Sequence, residues 1–156
     1  MSQTDRPRPS LELLNQYAED FNKSSALRQF SATLSFPSQS LLRIDMEVRP
    51  EFRGGLGDAN LVNGLVLSAL FDLSIGCTSA LIDPTRRSAT MQLSMSFERP
   101  VSGQRIHSEA ELTQAGGKTA FAVARIYDEA GNVCSRCQGV LRISSLPWRE
   151  GEASPF

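Results

Sequence analysis

One histidine, three cysteines and two lysines in 156 residues close off several chemistries at once. His107 stands alone and on the polar register of its segment, with no serine or cysteine nucleophile motif beside it, so a histidine-based triad lacks its parts. Three cysteines, behind an opening run MSQTDRPRPS that lacks the apolar core of a signal peptide, point to a reducing, cytoplasmic setting without disulfides. A surplus of either charge is missing too. The 16 Lys+Arg offset 17 Asp+Glu to leave −1, which provides no whole-protein field to draw nucleic acid or an anionic membrane. There is no internal repeat and no long linker. What remains, with 40% hydrophobic and 21% charged residues, describes one soluble globular domain. A chain of this size hides roughly 70% of its unfolded surface, so its core needs no disulfide or metal staple.

The apolar spacing divides the chain. Residues 1–9 are polar and Pro-containing and are expected to lack order; the domain is placed at 10–145 and a loop-like tail at 146–156. Ser10 is a cap for a short amphipathic helix carrying Leu11, Leu13, Leu14, Tyr17, Ala18 and Phe21. Alternation through Phe30–Phe36 and Leu42–Val48 predicts two strands with a turn at Pro37-Ser38-Gln39. The run PEFRGGLGDAN from Pro50 to Asn60 holds three of the eleven glycines and reads as an irregular loop. Its Gly55–Gly57 portion lacks the lysine and strand context of a phosphate-binding loop. Four further strands follow, the first with Ala89, Met91, Leu93, Met95 and Phe97 alternating against Ser88, Thr90, Gln92, Ser94 and Ser96. Short connections between the four predict an antiparallel meander.

Between the two strand groups lie Leu61–Ile82, in which Asp72 is the only charge. A transmembrane span fits that length, but an acid at mid-span and five scattered polar side chains disfavour it. A helix wrapped by a sheet, with protein on nearly all sides, is the expectation. A sheet that covers one helix leaves a face or an edge in need of a second copy, so dimerisation is expected as well.

Candidate chemistry centres on that helix. Asp72 is either an acid on a narrow wet stripe or a catalytic carboxylate, since an apolar setting forces it to be paired, neutralised or placed at a cleft. Asn63-Gly64 opens the helix, where unpaired backbone N–H groups and the dipole favour a developing oxyanion; Asn63 is equally an N-cap. Nine residues separate Asn63 from Asp72, about 13 Å of helix, so two antiparallel copies are better able than one to bring both to one carbonyl. Cys134 and Cys137 sit at an odd spacing in a strand, which points them to opposite faces as packing residues rather than metal ligands.

The segment VNGLVLSALFD resembles the His-Gly-Gly-x(6)-Asp pattern of the hotdog-fold acyl-CoA thioesterases, specifically their PaaI-like, phenylacetate-degradation branch. Asn63 stands at the histidine, Gly64 at the first glycine, Leu65 at the second and Asp72 at the acid. Thr90, the FERP ending at Pro100, the GGKTAFAV hairpin and the closing YDEAGNVCSRCQGVLRI extend the likeness from Phe30 to Ile143. The resemblance implies an α+β hotdog fold, an antiparallel sheet wrapped around one long helix. It implies an acyl-CoA thioesterase, cytoplasmic, working as a homodimer or dimer of dimers without metal, coenzyme A arriving as part of the substrate. Asp72 would act as base or nucleophile, the Gly64 N–H of the opposing subunit would polarise the carbonyl, and Thr90 would orient water or Asp72. The family often has Asn in the loop where Gly57 stands, with Asp58 and Asn60 as substitutes. Arg99, Gly117 and Lys118 are the coenzyme A contacts by resemblance, with Arg86-Arg87 as alternatives. The alternative is a protein that keeps the fold and binds acyl-CoA or a small acyl ligand without turnover, and a weaker third is an unrelated α+β pocket protein.

Overall fold

Ser10 and Ser24 each accept a backbone N–H three residues on, from Leu13 and Leu27 at 3.3 Å, and so start two helices. In the computed structural model, which describes residues 7–55 and 58–147, these are α1 (Leu11–Phe21) and α2 (Ser25–Gln29). Of the tails expected at 1–9 and 146–156, residues 1–6 and 148–156 lie outside the described residues, while residues 146–147 end the last strand instead of opening a loop. Strands β1 (Ala32–Ser38) and β2 (Leu41–Glu47) form the anticipated hairpin, and the central helix is α3 (Gly64–Cys77). Strands β3 (Arg86–Phe97), β4 (Arg105–Gly116), β5 (Thr119–Tyr127) and β6 (Val133–Pro147) complete the chain.

All six strands join one antiparallel sheet in the order β1-β2-β4-β5-β6-β3. This is the hotdog arrangement: the sheet curls round α3, whose Val66, Leu67, Leu70, Phe71, Ser74, Ile75 and Cys77 are buried. The expected four-strand meander needs correcting, because β3 pairs with β6 and leaves β4 to pair with β2. The connection from Glu98 to Gln104 therefore crosses between opposite parts of the sheet.

Two further expectations change. The apolar run does not make one 22-residue helix; α3 ends at Cys77, and Thr78–Leu81 tighten into a 3-10 turn. There the Thr78 hydroxyl bonds the Ile75 carbonyl at 2.6 Å, a local alternative to the α ladder. Nor is α3 covered on all sides by its own chain, since Gly64, Leu65 and Asp72 are exposed. The stretch Gly64–Leu81 is long and apolar enough to cross a membrane by composition, but it serves as the core helix here.

Candidate active site

The N-terminus of α3 is built by its cap and its loop. Asn63 holds extended angles (φ −74°, ψ 154°) and its Oδ1 accepts the Val66 N–H at 3.0 Å, so the capping role is realised. Gly64 is then the first helical residue, and a Cβ there would meet nothing within 4 Å. The preceding loop is pinned by Arg53, which donates to the Asn60 carbonyl at 2.8 Å and the Gly103 carbonyl at 2.6 Å. Gly54 and Gly55 turn with φ of +87° and +125°, angles that side-chain-bearing residues rarely hold. Asp58 Oδ1 accepts the Asn60 backbone N–H at 2.8 Å, which engages the Asp58 side chain in holding the loop. Gly57 lies outside the described residues.

Two turns along the helix, Asp72 lines a cleft of about 280 Å³ together with Leu73, Gly76 and Cys77 of α3, Ser88 and Thr90 of β3, and Tyr17 and Phe21 of α1. Asp72 and Gly76 are four residues apart and share a helix face. The glycine lets β3 come close: a Cβ at Gly76 would stand 3.5 Å from Thr90 Oγ1. Ser88 donates to Ser79 Oγ at 2.9 Å and reaches the Gly76 carbonyl at 3.3 Å, tying strand to helix at the cleft floor.

A bulge decides what β3 shows this cleft. Opposed residues of an antiparallel pair point to the same side; Thr90 opposes Leu141, and Leu93 opposes Gly139, with the register slipping at Met91. The strand thus presents hydroxyls, Ser88 and Thr90, at the Asp72 end and apolar Leu93, Met95 and Phe97 further on. The uninterrupted alternation read from the sequence is in fact two registers joined by one extra residue.

Burial shapes the titrating groups around the cleft. It raises the Tyr17 hydroxyl well above the ordinary tyrosine value, helped by neighbouring Cys77, and it raises the fully buried Cys77 thiol. Burial also pushes Cys137 up to about 11. Thiols held protonated are poor nucleophiles. Cys134 and Cys137 are both buried, with Cys137 on the inner register opposite Met95. Among the described residues no group of three or more His, Cys, Asp or Glu is gathered for a metal.

The structure brings Asp72 and Thr90 to one cleft. It leaves Asn63 and Gly64 at the far end of the same helix, about 12–13 Å away at 1.5 Å per residue. The three coenzyme A candidates separate likewise. The Gly117-Lys118 turn (Gly117 φ +62°) lies by the start of β3, since the Lys118 carbonyl accepts the N–H of Ile143, the partner of Ser88. Arg99 lies beyond the other end of β3, donating its N–H to the Cys134 carbonyl at 2.9 Å. That is on the order of 35 Å of strand. Tyr17, Phe21 and Ser88 escaped the sequence reading of the site. Ser88 had a signal, two residues from Thr90 on one register; Tyr17 had only a hydroxyl on an apolar helix stripe, which must find a partner when buried.

Residues 59–135 match the family model described as the thioesterase superfamily. Through these residues, just under half of the chain, the protein is similar to the thioesterase superfamily. No match is found among curated proteins. Among solved structures, a protein of Shewanella oneidensis related to that superfamily superposes with a TM-score of 0.75 at 17% identity, over 85% of this chain and 96% of that one. A Haemophilus influenzae thioesterase gives 0.72 at 17% identity, over 92% and 95%. The PaaI protein of the E. coli phenylacetic acid degradation operon gives 0.75 at 14% identity, over 88% and 99%. At such identities these likenesses establish the shared hotdog fold.

Proposed function

We propose that this domain hydrolyses an acyl-CoA thioester to a carboxylic acid and free coenzyme A. The observation that carries the reading is Asp72, a carboxylate on the central helix that shares a cleft with the Thr90 hydroxyl. A thioester is already activated, so one carboxylate and one oxyanion donor are enough for acyl transfer to water. Asp72 takes a proton from water as the water oxygen bonds to the carbonyl carbon, or it attacks that carbon itself to form a mixed anhydride that water hydrolyses once the thiolate has left. The C–S bond then breaks and the coenzyme A thiolate leaves and is protonated. Thr90 orients the attacking water or the Asp72 carboxylate.

The oxyanion donor is the Gly64 N–H of a second copy. As the first residue of α3, Gly64 has no intrahelical acceptor for its N–H, and the helix dipole adds to its pull on negative charge. β3 is the terminal strand of the sheet, with Met91 61% exposed, while Leu65 beside Gly64 is 81% exposed. An antiparallel pairing of two copies along this edge covers both and sets each Asp72 against the other helix start. The same pairing puts Arg99 of one copy towards the Gly117-Lys118 end of the other, so both could serve one coenzyme A. A homodimer is the minimal unit, and a dimer of dimers is compatible with it.

The test is free-thiol release from short-chain, long-chain and aryl acyl-CoA by wild type and Asp72→Asn. Turnover by the wild type, lost in Asp72→Asn with binding retained, supports the enzyme. The second reading is favoured by Asn63, whose side chain is engaged in capping where the family pattern has histidine. Binding of acyl-CoA without turnover by the wild type on any substrate would establish that reading instead.

A further inference from the structure

We infer that α1 forms the end wall of the acyl pocket and that Tyr17 sets the length of acyl group accepted. This rests on the thioesterase reading above. The cleft holding Asp72 has a mixed lining. Asp72, Ser88 and Thr90 are its polar groups, while Leu73, Phe21 and the ring of Tyr17 are apolar, the two aromatics both coming from α1. A ligand that matches both has a reactive polar group at one end and a hydrocarbon body at the other. With the carbonyl at Asp72, the acyl chain runs towards α1.

That end is closed by a braced aromatic pair. The Tyr17 and Phe21 rings stack at 5.9 Å and 14°, and Phe36 meets Tyr17 edge-on at 6.2 Å and 66°. Phe21 and Phe36 are buried, and the Tyr17 hydroxyl lies beside Cys77, which also lines the cleft, and Ser79. A side chain held by stacking on one face and by its hydroxyl at the tip cannot swing aside cheaply to admit a longer chain. The cleft's volume of about 280 Å³ is roughly twice that of a 150 Å³ cavity that holds one benzene, so this chain's part of the pocket has room for an acyl group of on the order of ten carbons. The substrate class is therefore an acyl-CoA with a short or medium acyl group.

The measurement is kcat/KM across a ladder of saturated acyl-CoA esters from two to sixteen carbons, with melting curves for each variant. Wild type should peak at about ten carbons or fewer. Tyr17→Ala opens the wall and should raise the ratio of dodecanoyl over hexanoyl kcat/KM by about tenfold or more, the scale on which a hydrophobic pocket discriminates methylenes. Tyr17→Phe keeps the ring and should keep the wild-type optimum. Leu73→Phe adds bulk to the apolar lining and should move the optimum to shorter chains, so the inference stays testable even where Tyr17→Ala does not fold. Active variants whose length profiles all coincide with the wild type overturn the assignment of α1 and leave the thioesterase reading standing. A folded wild type that releases no thiol from any ester overturns both.

Discussion

Gly139 of β6 lies directly beneath Ile75 of α3: a Cβ built on the glycine would stand 2.5 Å from Ile75 Cγ2 and 3.0 Å from Cγ1. The missing side chain lets the helix settle onto the sheet, and Ile75 is the residue before Gly76, where Thr90 of β3 makes its own close approach. Two glycines on two elements thus fix how deep the Asp72 cleft is. Gly139→Ala should cost about 1–3 kcal/mol, the usual penalty for overpacking a core. For a domain of this size that lowers Tm by roughly 3–10 °C. A melting curve superimposable on the wild type would show that the contact relaxes freely.

The outer face of the sheet gives a separate check, through the chain's one histidine. His107 stacks on Tyr127 with centroids 4.7 Å apart and rings 6° from parallel. Burial lowers its pKa and the nearby Arg43 charge lowers it further, against the opposing pull of Asp45 and Glu109. A folded-state value below the unfolded one means that the unfolded chain binds the proton more readily. Stability is therefore highest above about pH 6.5 and declines as pH falls through the lowered folded value. Between about pH 5 and 6.5 few other side chains titrate. His107→Phe, which keeps a ring against Tyr127, should flatten the dependence of Tm on pH in that window. An unchanged slope would assign it to other groups.

Much of this was legible in the chain. Period-two and helical spacing placed the strands and α1, and the purity of the run around Asp72 marked the core helix. What escaped depended on contacts between distant segments. The bulge at Met91 arises from how β3 pairs with β6, and no local pattern distinguishes it from plain alternation. The pairing of β3 with β6 rather than β4 is likewise a matter of which edge is free once the helix is covered. The resemblance pairs Asp72 with Thr90, and the structure sets them on one cleft; the third wall is not legible in the sequence, because Tyr17 reads as one more apolar position of α1.

The helix cap provides a prediction about stability without chemistry. Asn63 Oδ1 satisfies the Val66 N–H, and Asn63 also donates its own N–H to the Phe52 carbonyl at 2.9 Å. Asn63→Ala removes only the side-chain bond and should cost about 1 kcal/mol. Asn63→Ser or Asn63→Asp should recover most of that loss in chemical denaturation. A variant series with no difference in midpoint would mean that the loop, held by Arg53, fixes the helix start unaided.

The strongest test of a shared site separates Asp72 from Gly64 by chain. Gly64→Pro deletes the proposed oxyanion N–H at a position where proline suits the first helical turn, and the extended angles of Asn63 are those a following proline requires. Its kcat should fall by about 10²–10³, the loss typical of one oxyanion donor, while its melting curve stays close to that of the wild type. Asp72→Asn should fall by about 10²–10⁴. Each homodimer then has two defective sites, but a mixed dimer joins the intact Asp72 of one chain to the intact Gly64 of the other. Random reassortment of the two variants after co-refolding should restore about a quarter of wild-type activity, since half the dimers are mixed and one site in each is whole. If both groups serve one site from the same chain, no mixture regains activity.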